Sequence, residues 1–165
     1  AQKHLPPKSP PPAVVLPLPP RSAVEATPYE KRALDLFRRL VDEFPDVSLA
    51  VDGRLDLADL LADRGEYAEA VKLLKDALDA EPTDRPAAPE TLDRVRLLLG
   101  ACLAAEGKFA DAVAQFDAVA GNPKGPHYAA AVERSGAALF AAGEFQKAAD
   151  RLAPFRDKPE LRGVG

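Results

Sequence analysis

Residue types that carry catalysis and metal binding are scarce in this sequence. Its 165 residues include no methionine, no tryptophan, two histidines and one cysteine. A single cysteine, Cys102, excludes an internal disulfide framework and is typical of a small buried side chain. His4 and His127 lie far apart and have no catalytic partner nearby, so these three residues form neither a zinc motif nor a nucleophile–base pair. We therefore predict no metal, no cofactor and no enzymatic activity.

Long apolar runs and a basic surface are also missing. No stretch approaches the roughly 18 apolar residues that a membrane helix needs, so we predict no transmembrane segment. The net charge is -4, whereas nucleic-acid-binding proteins carry a basic stripe, so we predict no nucleic-acid partner. The missing initiator methionine and the N-terminal residues Ala1-Gln2-Lys3 are typical of an exported chain after signal-peptide cleavage. We expect an extracellular or periplasmic protein, with a cytoplasmic location as the alternative.

Proline is concentrated at the N-terminus. Nine of the 17 prolines lie within residues 1–28. Because proline fixes φ and has no N–H donor, this segment favours polyproline II over helix or central strand. The segment also contains an apolar run, which a solubilising linker does not need, formed by Val14, Val15, Leu16, Pro17 and Leu18. We predict an extended proline-rich arm over 1–28 whose apolar run docks on protein, with a disordered tether as the alternative.

From Tyr29 onward, apolar residues recur at the spacing of one helical face. Thr27 before Pro28 is a typical helix start, since threonine caps and proline suits the first turn. The pattern predicts an all-α domain over 29–165 with about seven helices. The predicted segments are 29–44, 48–64, 66–80, 90–106, 108–120, 126–142 and 144–157.

Internal repetition is the strongest signal in the sequence. The repeats align on three anchor alanines, Ala70, Ala112 and Ala148, which are 42 and 36 residues apart. Each anchor follows a glycine by five residues, an aromatic residue by three, a leucine by nine and a small residue by twelve. A large apolar residue follows each anchor by four. Five shared positions in three copies indicate a repeated structural unit.

Each repeated position has a physical role in a helical hairpin. The glycine ends the first helix in a left-handed conformation, and the aromatic residue opens the second helix. We expect the small residue and the anchor alanine to face each other, so that the two helices pack closely. The leucine and the large apolar residue would fill the remaining interface.

This pattern resembles the tetratricopeptide repeat family. In the first full copy it is matched by Ala58, Tyr67, Ala70, Leu74, Ala77 and Pro82. The resemblance implies a short right-handed solenoid of antiparallel helix pairs. The implied units are a half repeat at 29–45 and repeats at about 47–84, 89–124 and 126–160. The chain departs from the family pattern in lacking its tryptophan and in the longer linker 81–89.

The resemblance also implies a non-enzymatic protein-interaction module. In this family the first helices of the repeats line a concave groove. The matching groove residues here are Leu55, Asp59, Ala62, Leu97, Ala101, Ala104, Ala105, Ala137 and Phe140. Because most of them are small or apolar, we expect an extended apolar peptide as ligand. Four aspartates on one helical face form either a solvated surface or a docking patch for a basic segment: Asp52, Asp56, Asp59 and Asp63.

Two functional hypotheses follow from this organisation. The two ends of the predicted solenoid differ and carry no capping helix, so copies can mate head to tail. In the first hypothesis the protein is a structural oligomer or filament, with the arm of one subunit docked on its neighbour. The alternative is a scaffold or adaptor whose groove binds a different protein or an extended peptide.

Overall fold

A computed structural model describes residues 24–44, 48–79 and 87–157. These residues contain no strand, and they form seven α-helices. In chain order the helices are α1 (Pro28–Glu43), α2 (Ser48–Asp63), α3 (Tyr67–Asp79), α4 (Pro89–Ala105), α5 (Phe109–Ala120), α6 (Tyr128–Ala141) and α7 (Phe145–Asp157). The predicted all-α fold with about seven helices is confirmed. The apolar run of the arm, Val14–Leu18, lies outside the described residues.

The start of α1 is fixed by a capping box. Thr27 Oγ1 accepts a hydrogen bond of 3.2 Å from the Glu30 backbone N–H. Glu30 Oε2 in turn accepts one of 2.7 Å from the Thr27 backbone N–H. Pro28 occupies the first turn, where a missing N–H costs nothing. The predicted helix start at Thr27 and Pro28 is confirmed.

Three glycine turns connect the helix pairs. Gly65, Gly107 and Gly143 have φ angles of 78°, 76° and 81°, so the predicted left-handed conformation is confirmed. Two residues after each glycine, an aromatic residue opens α3, α5 or α7. Because these turns are short and consecutive helices pack together, the helices of each pair are antiparallel. All three turns therefore lie along one edge of the stack, which we call the glycine-turn edge.

The helices form two rows. The first-helix row contains α2, α4 and α6, and α4 contacts both of the others directly. The second-helix row contains α1, α3, α5 and α7. The anchor alanines Ala70, Ala112 and Ala148 are buried where the two rows meet. All three anchors are therefore buried, and the bounds of the repeats stay a prediction.

Close helix approach depends on two buried glycines. A Cβ added to Gly100 would lie 2.5 Å from the Phe116 ring, and one added to Gly136 would lie 2.5 Å from Leu152. The expected contact between each small residue and the anchor alanine stays a prediction. The nearest side chain is the large residue four positions after the anchor. Helical side chains lean toward the N-terminus, so this residue covers the space beside the anchor.

Gly53 has no place in the repeat pattern, but it has a packing role. It lies on α2, and a Cβ there would come within 2.9 Å of Leu40 Cδ2 on α1. The glycine therefore lets the first helix pack closely against the second.

Candidate functional site

The structure distributes the predicted groove residues among three environments. Two are buried in the core, Leu55 and Leu97. Three are half-buried, Ala62, Ala101 and Ala104. Four are exposed, Asp59, Ala105, Ala137 and Phe140. The last seven form an accessible surface along the first-helix row, and this side stays the predicted peptide-binding face.

The acidic face of α2 lies in the same row. Asp52, Asp56, Asp59 and Asp63 are all exposed, at positions that share one helical face. A basic ligand segment would meet favourable electrostatic potential here.

Two exposed phenylalanines stand where α6 turns into α7. Phe140 is 64% exposed and Phe145 is 62% exposed. Their ring centroids are 5.2 Å apart in an edge-to-face arrangement. Phe145 occupies the repeat position of Tyr67 and Phe109, both of which are half-buried. Tyr67 and Phe109 open α3 and α5, and each of these helices is followed by another described helix. Phe145 opens α7, which is the last described helix.

A second concavity lies between α5 and α7, with α6 as its floor, and we call it the α5–α7 cleft. Its volume is about 760 Å³. Its apolar lining consists of Phe109, Val113, Tyr128, Val132, Leu139 and Pro154. The α6 residues of this lining lie on the face opposite Ala137 and Phe140, so the cleft opens away from the predicted groove.

Small side chains form part of the cleft walls. Ala110 and Ala120 on α5 and Ala142 at the end of α6 face it. Ala120 occupies the repeat position at which α3 carries Leu78, which packs against the core. Sequence reasoning missed this site because it followed only the face that the family resemblance assigns to ligands. A comparison of side-chain size at equivalent positions of α3 and α5 is the signal that could have found it.

A polar network holds the three helices around the cleft. Asp117 Oδ1 on α5 accepts a hydrogen bond of 2.8 Å from Ser135 Oγ on α6. Asp117 Oδ2 accepts one of 2.6 Å from Arg151 Nη2 on α7. Ser135 is fully buried, so its hydroxyl depends on this acceptor. The network therefore links the three helices that line the cleft.

Cys102, the one cysteine of the sequence, is buried and unpaired in the structure. Burial, and to a smaller extent the nearby carboxylates of Glu106 and Asp59, raises the pKa of the Cys102 thiol to about 11. The thiol is therefore neutral at pH 7 and a poor nucleophile. Among the described residues, no group of three His, Cys, Asp or Glu side chains is placed to hold a metal ion.

None of the helices in the described part of the chain combines the length and the hydropathy that a membrane span requires. Export stays a prediction.

Comparison with known families agrees with this geometry. Two family models described as Tetratricopeptide repeat match the chain, one over residues 31–89 and the other over residues 94–155. The chain belongs to the tetratricopeptide repeat family. The first match spans α1 to α3 and the second spans α4 to α7. No curated protein matches the chain. Tetratricopeptide repeats are generally non-catalytic and bind other proteins, so this tetratricopeptide repeat chain is a protein-interaction module.

Proposed function

We propose that this module is non-catalytic and self-associates head to tail, with the arm of one subunit docking on its neighbour in a structural oligomer or filament. The supporting observation is the distribution of exposed large apolar side chains in the described chain. They occur at the two ends of the helix stack, at Val24, Tyr29, Leu36, Phe44, Phe140 and Phe145. Helices α2 to α5 expose none among their described side chains.

A head-to-tail contact requires exposed apolar surface at both ends of the helix stack, which is where these side chains lie. Single exposed apolar residues are ordinary on protein surfaces, whereas clusters mark interaction sites. Here two different clusters lie on one molecule, around α1 and at the α6–α7 turn. Contact between two unlike patches is heterologous, and it produces open polymers unless the rotation between subunits closes a ring.

Charge distribution also favours contact between the arm and a solenoid. Residues 1–24 contain Lys3, Lys8 and Arg21 and no acidic residue, so the net charge divides into +3 for this segment and -7 for the rest. The acidic solenoids repel one another, while each basic arm is attracted to a neighbour. The arm would therefore offset the repulsion that end-to-end contact creates.

The experiment is a measurement of molar mass by light scattering during gel filtration, across micromolar concentrations. We expect oligomers that grow with concentration. The double change Phe140→Ser and Phe145→Ser should shift the chain toward monomer and leave its helical circular dichroism unchanged. Ala114→Ser, an exposed change in the middle of α5, is the control and should assemble normally. A monomer at every concentration, or unchanged assembly of the double variant, would contradict the proposal.

A second candidate function is favoured by the acidic face of α2. Exposed Asp52, Asp56 and Asp59 lie on α2, which contacts α4 in the first-helix row, and α4 carries the small residues Ala101 and Ala105. This surface suits a scaffold that binds a basic, extended segment of a different protein. A monomeric chain that binds a labelled lysine-rich peptide would support this function, provided that binding weakens with salt and with Asp56→Asn combined with Asp59→Asn.

A further inference from the structure

We infer that the apolar run of the arm, Val14–Leu18, binds in the α5–α7 cleft of a neighbouring copy. The inference rests on the proposed function, since it takes the arm to be a ligand of another subunit. It assigns the docking site to the second-helix row and not to the predicted groove.

The chemistry of the cleft fits a proline-rich apolar strand. Such strands bind aromatic-lined grooves because proline rings and aliphatic side chains pack on aromatic faces, and the stiff strand loses little entropy on docking. Phe109, Tyr128 and Pro154 supply such surfaces in the cleft. At its rim, Glu144 just before α7 and Asp150 on α7 are exposed carboxylates for the basic residues that flank the run. Lys147 lies between them and is paired with Glu144 at 3.2 Å, so Asp150 is the better partner for a cation.

The entry point of the arm also favours this site. Arg64 Nη2, at the end of α2, donates a hydrogen bond of 3.3 Å to the Val24 carbonyl oxygen. The arm therefore enters the fold beside the Gly65 turn, on the glycine-turn edge. The cleft opens toward that same edge, where a depression of about 460 Å³ shares Phe109, Ala110 and Ala142 with it.

The positions of the arm and the cleft along the stack favour binding to the cleft of a neighbouring copy. The arm leaves the stack at its α1 end, whereas the cleft lies at its α7 end. Head-to-tail contact places the α1 end of one subunit against the α7 end of the next, and so brings one arm to the other subunit's cleft. Leu18 precedes Val24 by six positions, and the rise of polyproline II would give this separation a reach of about 19 Å. Docking within one subunit is therefore the competing arrangement.

Disulfide trapping in the full chain tests the site directly. One protein carries Val15→Cys and a second carries Ala110→Cys, which places a thiol in the cleft. After mixing and mild oxidation, linked peptides are identified by mass spectrometry. Ala105→Cys, another exposed alanine near the same edge but in the first-helix row, replaces Ala110→Cys in the matched control. The native Cys102 is buried and should not interfere.

We expect at least tenfold more linkage of residue 15 to residue 110 than to residue 105. Preferred linkage to residue 105 would overturn the cleft assignment and leave self-association standing. Linkage to residue 110 that forms only when both cysteines are in one chain would show docking within a subunit and overturn the inference. Oligomers without either link would also overturn it, whereas a monomer without either link would overturn the proposed function as well.

Discussion

Arg151 Nη2 on α7 donates a hydrogen bond of 2.6 Å to Asp117 Oδ2 on α5, so the side chains of these two residues join helices that are not consecutive in the chain. The other carboxylate oxygen of Asp117 accepts from the buried Ser135 hydroxyl on the intervening α6. One carboxylate therefore ties three helices together at the cleft.

Asp117→Ala should destabilise the fold by about 2 kcal/mol. The change leaves the buried Ser135 hydroxyl without an acceptor, which costs about 1–3 kcal/mol, and removes a part-exposed ion pair worth less than about 1 kcal/mol. Asp117→Asn keeps an acceptor for Ser135 and should cost about half as much. Urea unfolding measures these differences. Asp76→Ala, an exposed change on α3, is the control, and equal stability of Asp76→Ala and Asp117→Ala would show that the network contributes nothing.

Gly100→Ala should destabilise the fold by about 2 kcal/mol. Alanine favours helix over glycine by about 1 kcal/mol, but the new Cβ would lie 2.5 Å from the buried Phe116 ring, so the ring or one of the helices would have to shift. Phe116→Leu in the same chain should recover part of the loss, because it shortens the opposing side chain. Thermal unfolding followed by circular dichroism measures both variants.

The control for this substitution is Gly121→Ala at the end of α5. There the nearest atom is a backbone oxygen at 3.4 Å and the φ angle is -62°, so alanine meets neither clash nor strain. We expect unchanged or slightly higher stability. If Gly100→Ala were as stable as Gly121→Ala, then α4 and α5 could move apart without a loss of stability.

Gly107→Ala isolates the effect of backbone conformation. A Cβ at this position meets no atom within 4 Å, but φ is +76°. We expect a loss of about 1 kcal/mol from the left-handed conformation alone. Gly107→Asn should cost less, because asparagine tolerates this region better. The free energy of unfolding in urea is the measurement, and equal costs for alanine and asparagine would contradict the argument.

Cys102 should be unreactive in the folded protein. A rise in the thiol pKa from 9.0 to about 11 lowers the thiolate fraction at pH 8 about a hundredfold, and burial blocks the reagent as well. Modification by Ellman's reagent should therefore be at least a hundredfold slower than in urea. Rapid modification of the native chain would show that the interface between α4 and its neighbours opens easily.

The same pKa predicts a stability change at high pH. The folded state holds the Cys102 proton more tightly than the unfolded state, so this stabilisation is complete below about pH 9 and is lost as the pH rises toward 11. The stability of Cys102→Ala should lack this component. The difference between the two urea-unfolding curves over that range isolates it from other titrating groups, and a constant difference would contradict the assignment.

Features that recur in every repeat could be predicted from the sequence. The positions of Gly65, Gly107 and Gly143 predict three left-handed turns, because only glycine adopts that conformation freely. The spacing of the anchor alanines predicts their burial. Repetition makes such features visible, because the same physical requirement appears three times.

Features that occur once could not be found in this way. Asp117 stands where the other repeats have Lys75 and Ala153, so no periodic pattern points to its network. Gly53 likewise has a role only through Leu40, a partner on another helix. Ala120 in the α5–α7 cleft shows its lack of bulk only when α5 is compared with α3, which carries Leu78 at the equivalent position.

The seven described helices begin and end in the same row, because their number is odd. Within the stack, each helix is followed in the chain by a helix of the other row. Two copies placed end to end would instead set α7 against α1, and both of these belong to the second-helix row. A filament or ring built this way would interrupt the helix alternation once in every subunit. The contact between subunits would then have its own geometry, so that assembly strength and the stability of a single subunit can change independently.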